Sequence, residues 1–268
     1  IESAAPDSMF EKIEIAGPGF INFMLSREAF TEEIKKVIEK GDDYGKAHPE
    51  KPQKIQVEFI SANPTGPLTF GNGRGGPFGD VLGNIFSYLG HDVTKEYYIN
   101  DAGGQVLKLG RSVMGEEEAE YKGEYIEDLR RAIDTEGKDI RQVGSEAVRE
   151  VTSWLKKTVN ENMGVGMDVW FSEKSLYESG TVDMVIEKLK QEGLMYESEG
   201  ALWFKSTEFG DDKDRVAVKS DGEKTYFAGD IAYLWNKFKE RGFDRVINIW
   251  GADHHGDVAR VKGAFKAL

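Results

Sequence analysis

From about residue 8 to residue 26 apolar and polar residues alternate, around IEIAGPGFINFMLS, and the run breaks at Gly17-Pro18-Gly19. A period of two with that break predicts two short strands joined by a turn. The period then lengthens. Over residues 27–41, REAFTEEIKKVIEKG, Phe30, Ile34, Val37 and Ile38 share one helical face, and Gly41 ends the helix. The polar stretch DDYGKAHPEKPQ carries two prolines and reads as a linker at a domain boundary. Alternation returns at residues 54–60 and predicts a strand. A glycine-rich turn follows over 61–76. Phe78, Val81, Leu82, Ile85, Phe86 and Leu89 then mark a helix over 77–89, capped by Gly90. Residues 92–98, in HDVTKEYYIN, have the β-branched and aromatic content of another strand. Strand, helix and strand in that order imply a parallel pair with a right-handed crossover.

Beyond it, residues 102–163 are charged and helical, with Val143, Ala147, Val151, Trp154, Leu155 and Val159 as the apolar stripe. Residues 167–227 are mixed. They predict a strand near 168–171, a helix near 180–192 and short strands near 194–206 and 214–219. A helix over 230–240, a strand over 244–250 (DRVINIW) and a helix over 255–267 resume the first pattern. The chain therefore reads as α/β, with two halves of one parallel sheet separated by an insertion of roughly a hundred residues, about 105–225, longer than ordinary loops. There is no internal repeat and no low-complexity tract.

Composition narrows the chemistry. The 268 residues are 39 % apolar and 31 % charged, the balance of a soluble globular chain. A formal net charge of −13 argues against a basic sheath for nucleic acid and suits a small cationic substrate. No cysteine is present, so disulfides, thiolate metal sites and a cysteine nucleophile are excluded. No apolar run approaches the ~20 residues of a membrane helix, and no signal-peptide pattern opens the chain, so no membrane partner and a cytoplasmic location are expected. The chain begins at Ile1 and stops at Leu268 inside a helical pattern, as a piece of a longer protein would.

The glycine turn, NPTGPLTFGNGRGG, is the first candidate for function. Gly71-Asn72-Gly73-Arg74-Gly75-Gly76 matches G-x-G-x-x-G, and Glu96 stands about twenty residues on, as in a dinucleotide site. Against that, Ser61 to Phe70 intervene between strand and glycines, and the lysine-bearing phosphate loop is absent. The glycines could instead supply positive φ angles in a long turn. We read an anion site, because backbone N–H groups and a helix dipole converge between a strand and a helix amino terminus. Glu58 alternates with Val57 and Phe59, which also fits the solvent side of a strand. Asp230 follows Gly229, which also fits a helix N-cap. In WGADHHGD, Asp253, His254, His255 and Asp257 are metal ligands by type, but adjacent histidines point apart and no distant third ligand is evident, so no metal site is expected.

Four blocks, VEFISANPTGPLTFGNGRGG, KEYYINDAGGQ, TYFAGDIAY and WGADHHGDVARVK, stand in order over residues 57–262. They resemble the catalytic domain of arginyl-tRNA synthetase, a class I aminoacyl-tRNA synthetase. Residues 12–26 resemble the end of that family's amino-terminal tRNA-binding domain. The resemblance implies a Rossmann-like parallel sheet of class I synthetase type with a large mixed α/β insertion. It divides the chain into a remnant of the amino-terminal domain (1–27), a helix and linker (28–50) and a catalytic domain (51–268) that ends before the K-M-S-K loop.

The resemblance also implies the site. The H-x-G-H motif that contacts ATP phosphates reads Thr69-Phe70-Gly71-Asn72 here, similar to the T-x-G-N of tryptophanyl enzymes. Thr69 and Asn72 then take the catalytic positions. Pro64, Gly66, Thr69, Gly71, Asn72, Gly73 and Gly251 bind ATP, with Mg²⁺ as its companion. Glu58, Asn63, Tyr226, Asp230 and His254 bind L-arginine, although Tyr226 also suits core packing. Asp101 and Gln105 form a rim, or else serve as an N-cap and an early helix residue. The expected reaction is ATP-dependent formation of arginyl-adenylate and transfer to tRNA(Arg). A piece lacking the K-M-S-K loop is expected to bind arginine and ATP without completing aminoacylation. Two other readings are a degenerate synthetase-like binding module and a dinucleotide-dependent oxidoreductase.

Overall fold

The computed structural model describes residues 9–117 and 119–268. The first eight residues, expected to open the amino-terminal remnant, lie outside them. The chain divides into two units. One runs up to Pro49 and takes in Tyr88–Gly90; the other comprises Glu50–Ser87 and His91–Leu268.

In the first unit β1 (Phe10–Ala16) and β2 (Phe20–Leu25) pair antiparallel across the predicted glycine-proline turn. Gly17 and Gly19 adopt φ of 58° and 109°, which a side chain would oppose. Ser26 caps α1 (Arg27–Lys40) by accepting the Ala29 N–H at 3.1 Å, and Gly41 ends the helix with φ 51°. The apolar face read from the sequence, Phe30, Ile34, Val37 and Ile38, is exposed.

The second unit is built on a four-stranded sheet of order β5-β4-β3-β9: β5 (Val169–Ser172), β4 (Asp92–Ile99), β3 (Lys54–Glu58) and β9 (Arg245–Asn248). All three pairings are parallel. Residues alternate across it. One face presents Ile55, Val57, Phe59, Tyr97 and Ile99, and these join a buried cluster with α4 (Gly104–Met114), α5 (Glu124–Ala132) and α6 (Ile140–Lys156). A capping box between Asp139 and Gln142 starts α6, and its predicted stripe is buried apart from Trp154, which is partly so. The other face presents Gln56, Glu58 and Glu96, all buried. It meets α9 (Tyr226–Trp235), which continues as a π-helical turn over Asn236–Glu240. Between β5 and α9 lie α7 (Lys174–Glu178), α8 (Thr181–Gln191) and an antiparallel sheet of β6 (Met195–Ser198), β7 (Ala201–Phe204) and β8 (Arg215–Val218). That sheet shares a second cluster with α8, α9 and α10 (Asp257–Ala267). No helix among the described residues is long and apolar enough to cross a membrane.

Three expectations are corrected. The segment read as an insertion is not separate from the sheet, because it contributes β5 to the sheet's edge. The glycine run is not a turn: residues Phe70–Gly73 form the short helix α2 and Gly75–Tyr88 form α3. Its glycines keep ordinary φ angles, and the left-handed residues are Ile60 (φ 67°) and Ser61 (φ 42°), just past β3. The glycines further along serve close approach instead. A Cβ on Gly79 would stand 2.2 Å from the Phe59 ring, and one on Gly76 would stand 2.8 Å from Met163. Thirdly, Asp230 is no N-cap. Thr225 holds that position, and Asp230 sits in the second turn of α9.

Candidate active site

A cleft of about 1130 Å³ opens where β3, β4 and β9 end, the place where open parallel sheets bind ligands. Glu58 closes β3, Asn248 closes β9, and Tyr98 and Asn100 stand at the end of β4. The reversal at Ile60-Ser61 is pinned locally. The Ser61 hydroxyl donates to Glu58 Oε1 at 3.3 Å and accepts the Tyr98 N–H at 3.1 Å, while the Tyr97 hydroxyl donates to the Ala62 carbonyl at 2.8 Å. Further along the same wall, Thr69 caps α2. Its hydroxyl accepts the Asn72 N–H at 3.2 Å and donates to Asn72 Oδ1 at 2.6 Å. Arg74, exposed, brings a fixed positive charge to this side of the cleft.

The opposite wall is acidic. Asp230 projects from α9 with its carboxylate 3.0 Å from the Arg260 guanidinium, and Arg260 also reaches Asp257 at 3.1 Å. Burial pushes the Asp230 carboxyl up to about 6. The Arg260 charge opposes the rise, and Asp257 and Glu58 add to it. His254 Nδ1 lies 3.1 Å from Asp257, and its ring packs 5.8 Å from that of Trp250. Glu58 is not on the solvent side of its strand; it is 6 % exposed, and its Oε2 accepts the Lys237 ammonium at 2.6 Å. Among the described residues of this wall, Glu58, Asp230 and Asp257 thus face two cations, Lys237 and Arg260, one positive charge short of balance.

Behind Asp230 lies a fourth carboxyl. Glu173, buried at the start of α7, is pushed up to about 7, chiefly by burial and then by the Asp230 charge, while a hydrogen bond from Tyr98 opposes the rise. With its amide turned to satisfy both atoms, Asn100 donates to Glu173 Oε2 at 2.8 Å. Gly229 makes room for this group, since a Cβ there would stand 2.9 Å from Glu173 Oε1. Burial also holds the Tyr98 and Tyr233 hydroxyls well above the usual phenol range, so both stay neutral donors.

Of the residues singled out in the sequence, Glu58, Asn63, Thr69, Gly71, Asn72, Tyr226, Asp230, Gly251 and His254 line this one cleft. Tyr226 lines it as an exposed residue at the start of α9, not as core. Pro64 is buried beside the turn, a Cβ on Gly66 would stand 3.2 Å from the Tyr125 ring, and one on Gly73 would stand 3.8 Å from Met163. Asp101 borders a separate cavity of about 560 Å³, where it accepts the Ser172 hydroxyl at 2.5 Å and the Lys174 N–H at 2.8 Å. It caps α7 rather than α4, which Gly103 precedes. Gln105 is an early residue of α4, bonded to the Tyr121 hydroxyl. Among the described residues no group of three or more His, Asp or Glu could hold a metal ion; the Asp253 side chain lies outside that set. Glu96, which the dinucleotide reading needs for a ribose, is fully buried against Arg241 and Tyr233, and β3 ends well before Gly71. Lys237, Glu173, Tyr98, Arg260 and Arg74 were not singled out. Arg74 and Arg260 lay inside quoted blocks, but only the fold brings Lys237 and Glu173 to the same place.

Residues 116–261 match the model of the family described as tRNA synthetases class I (R), catalytic domain. Residues 1–25 match the arginyl tRNA synthetase N terminal domain. The chain is 48 % identical to an arginine–tRNA ligase of Caldanaerobacter subterraneus subsp. tengcongensis, over 97 % of this chain and 50 % of the relative. An arginine–tRNA ligase of Syntrophotalea carbinolica is 45 % identical over the same shares. Among solved structures, one from Campylobacter jejuni assigned to arginyl-tRNA synthetase superposes with a TM-score of 0.79 at 36 % identity, over 91 % of this chain and 57 % of that one. The chain spans about half the length of the curated relatives it matches.

Proposed function

Because the chain belongs to the family of class I (R) tRNA synthetase catalytic domains, we propose that it forms the arginine- and ATP-binding part of an arginine–tRNA ligase acting in the cytoplasm. The observation that carries this reading is the acidic wall: three carboxylates against two cations, with a fourth carboxyl behind, at the carboxyl ends of a parallel sheet. Such a wall is completed by one guest cation. A guanidinium fits it best, because its planar fork of donors can engage more than one carboxylate at once. Asp230 and Glu58 are the charged partners, with Glu173 reached through Tyr98 and Asn100. Tyr226 closes the lip. Asn63 and His254 face the amino-acid end of the substrate.

ATP takes the other wall. Thr69 and Asn72 offer a hydroxyl and an amide to phosphate oxygens, Gly71 and Gly73 keep that approach low, and Gly251 leaves room for the adenine. Pro64 and Gly66 hold the shape of the turn. Thr69 and Asn72 bring no positive charge, so Arg74 supplies it as charge develops on the phosphates. Mg²⁺ would come with the triphosphate, as no described acidic cluster is suited to hold it alone. It would neutralise phosphate charge.

The reaction needs no protein nucleophile. The arginine carboxylate attacks the α-phosphorus and pyrophosphate leaves; a hydroxyl of the terminal ribose of tRNA(Arg), bound with the help of other parts of the protein, then takes the arginyl group and AMP leaves. This chain's residues orient the two substrates and exclude water between them. Calorimetry with L-arginine, L-citrulline and L-lysine tests the reading. Arginine should bind, citrulline, which keeps the shape without the charge, should not, and Asp230→Asn should weaken arginine at least about tenfold, a loss of roughly 1.4 kcal/mol. Equal binding of arginine and citrulline would sink it. No binding of either would favour a synthetase-like module without this activity.

A further inference from the structure

We propose that Lys237 is a positioning residue for amino-acid recognition: its ammonium holds the Glu58 carboxylate charged and aimed into the cleft. This rests on the reading of the cleft as an arginine site. The ammonium is occupied by the protein itself. It donates to Glu58 Oε2 at 2.6 Å, lies 3.4 Å from Asn248 Oδ1 and stands 3.9 Å from the centre of the Tyr233 ring. The side chain is 1 % exposed and sits in the cleft wall with its ammonium committed to these partners. Its place depends on the π-helical turn over Asn236–Glu240, which continues α9 against the ends of β3 and β9. Widened turns of this kind recur at functional sites.

Glu58 is faced by Glu96 and Tyr98 from β4, by Asp230 and Tyr233 from α9, by Lys237 from the turn and by Asn248 from β9. Of these only Lys237 is a cation. Without it, Glu58 would keep one hydrogen bond to a side chain, from Ser61 at 3.3 Å, while remaining almost wholly buried. A carboxylate so placed takes up a proton, and a neutral carboxyl offers a guanidinium no counter-charge. Lys237 would therefore act on arginine through Glu58, without touching it.

The test uses the full-length protein, with Lys237→Met, Lys237→Arg and the double variant Lys237→Met/Glu58→Gln. Lys237→Met should raise the arginine KM at least about tenfold near pH 7 while kcat changes less than about threefold, the pattern of lost substrate binding. Lys237→Arg should restore most of the affinity. Independently of arginine, the infrared spectrum of Lys237→Met should gain one protonated-carboxyl band that the parent lacks and the double variant loses. If Lys237→Met does not fold, Lys237→Gln takes its place with the same readings. An unchanged KM, or no new carboxyl band, overturns the proposal. A parent protein indifferent to arginine refutes the arginine reading instead, and the infrared comparison then decides the role of Lys237.

Discussion

Glu58 and Glu96 are register partners on neighbouring parallel strands, and each carboxylate is met by a cation from one helical segment: Lys237 for Glu58, Arg241 for Glu96. Two adjacent buried acids would repel one another and resist burial. Two basic residues four apart, one helical turn, resolve both problems together. The cleft-side acid is then available to a ligand, while its neighbour is committed to the frame.

Removing the frame's half of this arrangement should cost stability rather than recognition. Arg241 pairs with both oxygens of Glu96, which is fully buried and also accepts the Tyr233 hydroxyl. Arg241→Met should lower unfolding free energy by about 3 kcal/mol, the usual loss when one partner of a buried pair is deleted. Urea unfolding at neutral pH measures it. A loss under about 1 kcal/mol would mean that the pair is effectively solvated.

The glycines of the strand-to-helix connection should divide into two kinds. Gly79→Ala drives a methyl group to 2.2 Å from the Phe59 ring and should cost at least about 2 kcal/mol through overpacking. Gly71→Ala meets nothing nearer than the Thr69 hydroxyl at 3.7 Å and should stay within about 0.5 kcal/mol of the parent. Thermal unfolding of both variants distinguishes packing from turn geometry as the reason for the run.

Glu173 makes stability depend on pH with a definite sign. Its carboxyl lies at 4.5 when exposed and at about 7 in the fold. Between those values the unfolded chain has released the proton that the folded chain keeps. Stability from this group is therefore full below about pH 4.5 and falls as pH rises through about 7, a total of order 3 kcal/mol. Glu173→Gln removes that dependence. It should be more stable than the parent near pH 8, with the difference gone by about pH 4.5, in paired urea titrations. A constant difference across the range would show that the carboxyl is ionised throughout.

Thr69 should matter for nucleotide and not for amino acid. Thr69→Val removes both hydrogen bonds to Asn72 and frees the start of α2. The ATP KM should rise about tenfold, while arginine affinity stays within about twofold; Thr69→Ser should behave like the parent. Equal losses for both ligands would mean that α2 supports the whole cleft.

Much of this was legible in local pattern. Alternation around Ile55-Val57-Phe59 marked β3, the stripe from Val143 to Val159 marked α6, and the four motif blocks marked most of the cleft. What was hidden depends on long-range pairing. Val169–Ser172 reads as a strand anywhere, but only its pairing with Glu96–Ile99 makes it the edge of the main sheet. Glu173 comes just after that strand, and nothing in its local sequence marks it as buried. Asp230 looked like a cap because Gly229 precedes it, yet that glycine is there to admit Glu173. Lys237 was one more lysine in a charged helix until the strand ends beneath it were known.

Tyr226, Asp230, Tyr233, Lys237 and Arg241 all look toward the strand ends from one continuous helical run that includes the widened turn. Each added or deleted residue rotates the remainder of a helix by about 100°. A single insertion or deletion between Tyr226 and Arg241 would leave composition almost unchanged, yet it would turn either the ligand-facing acid or its supporting cations away from the cleft. Across related chains this stretch should therefore vary in its outward residues and hold its length.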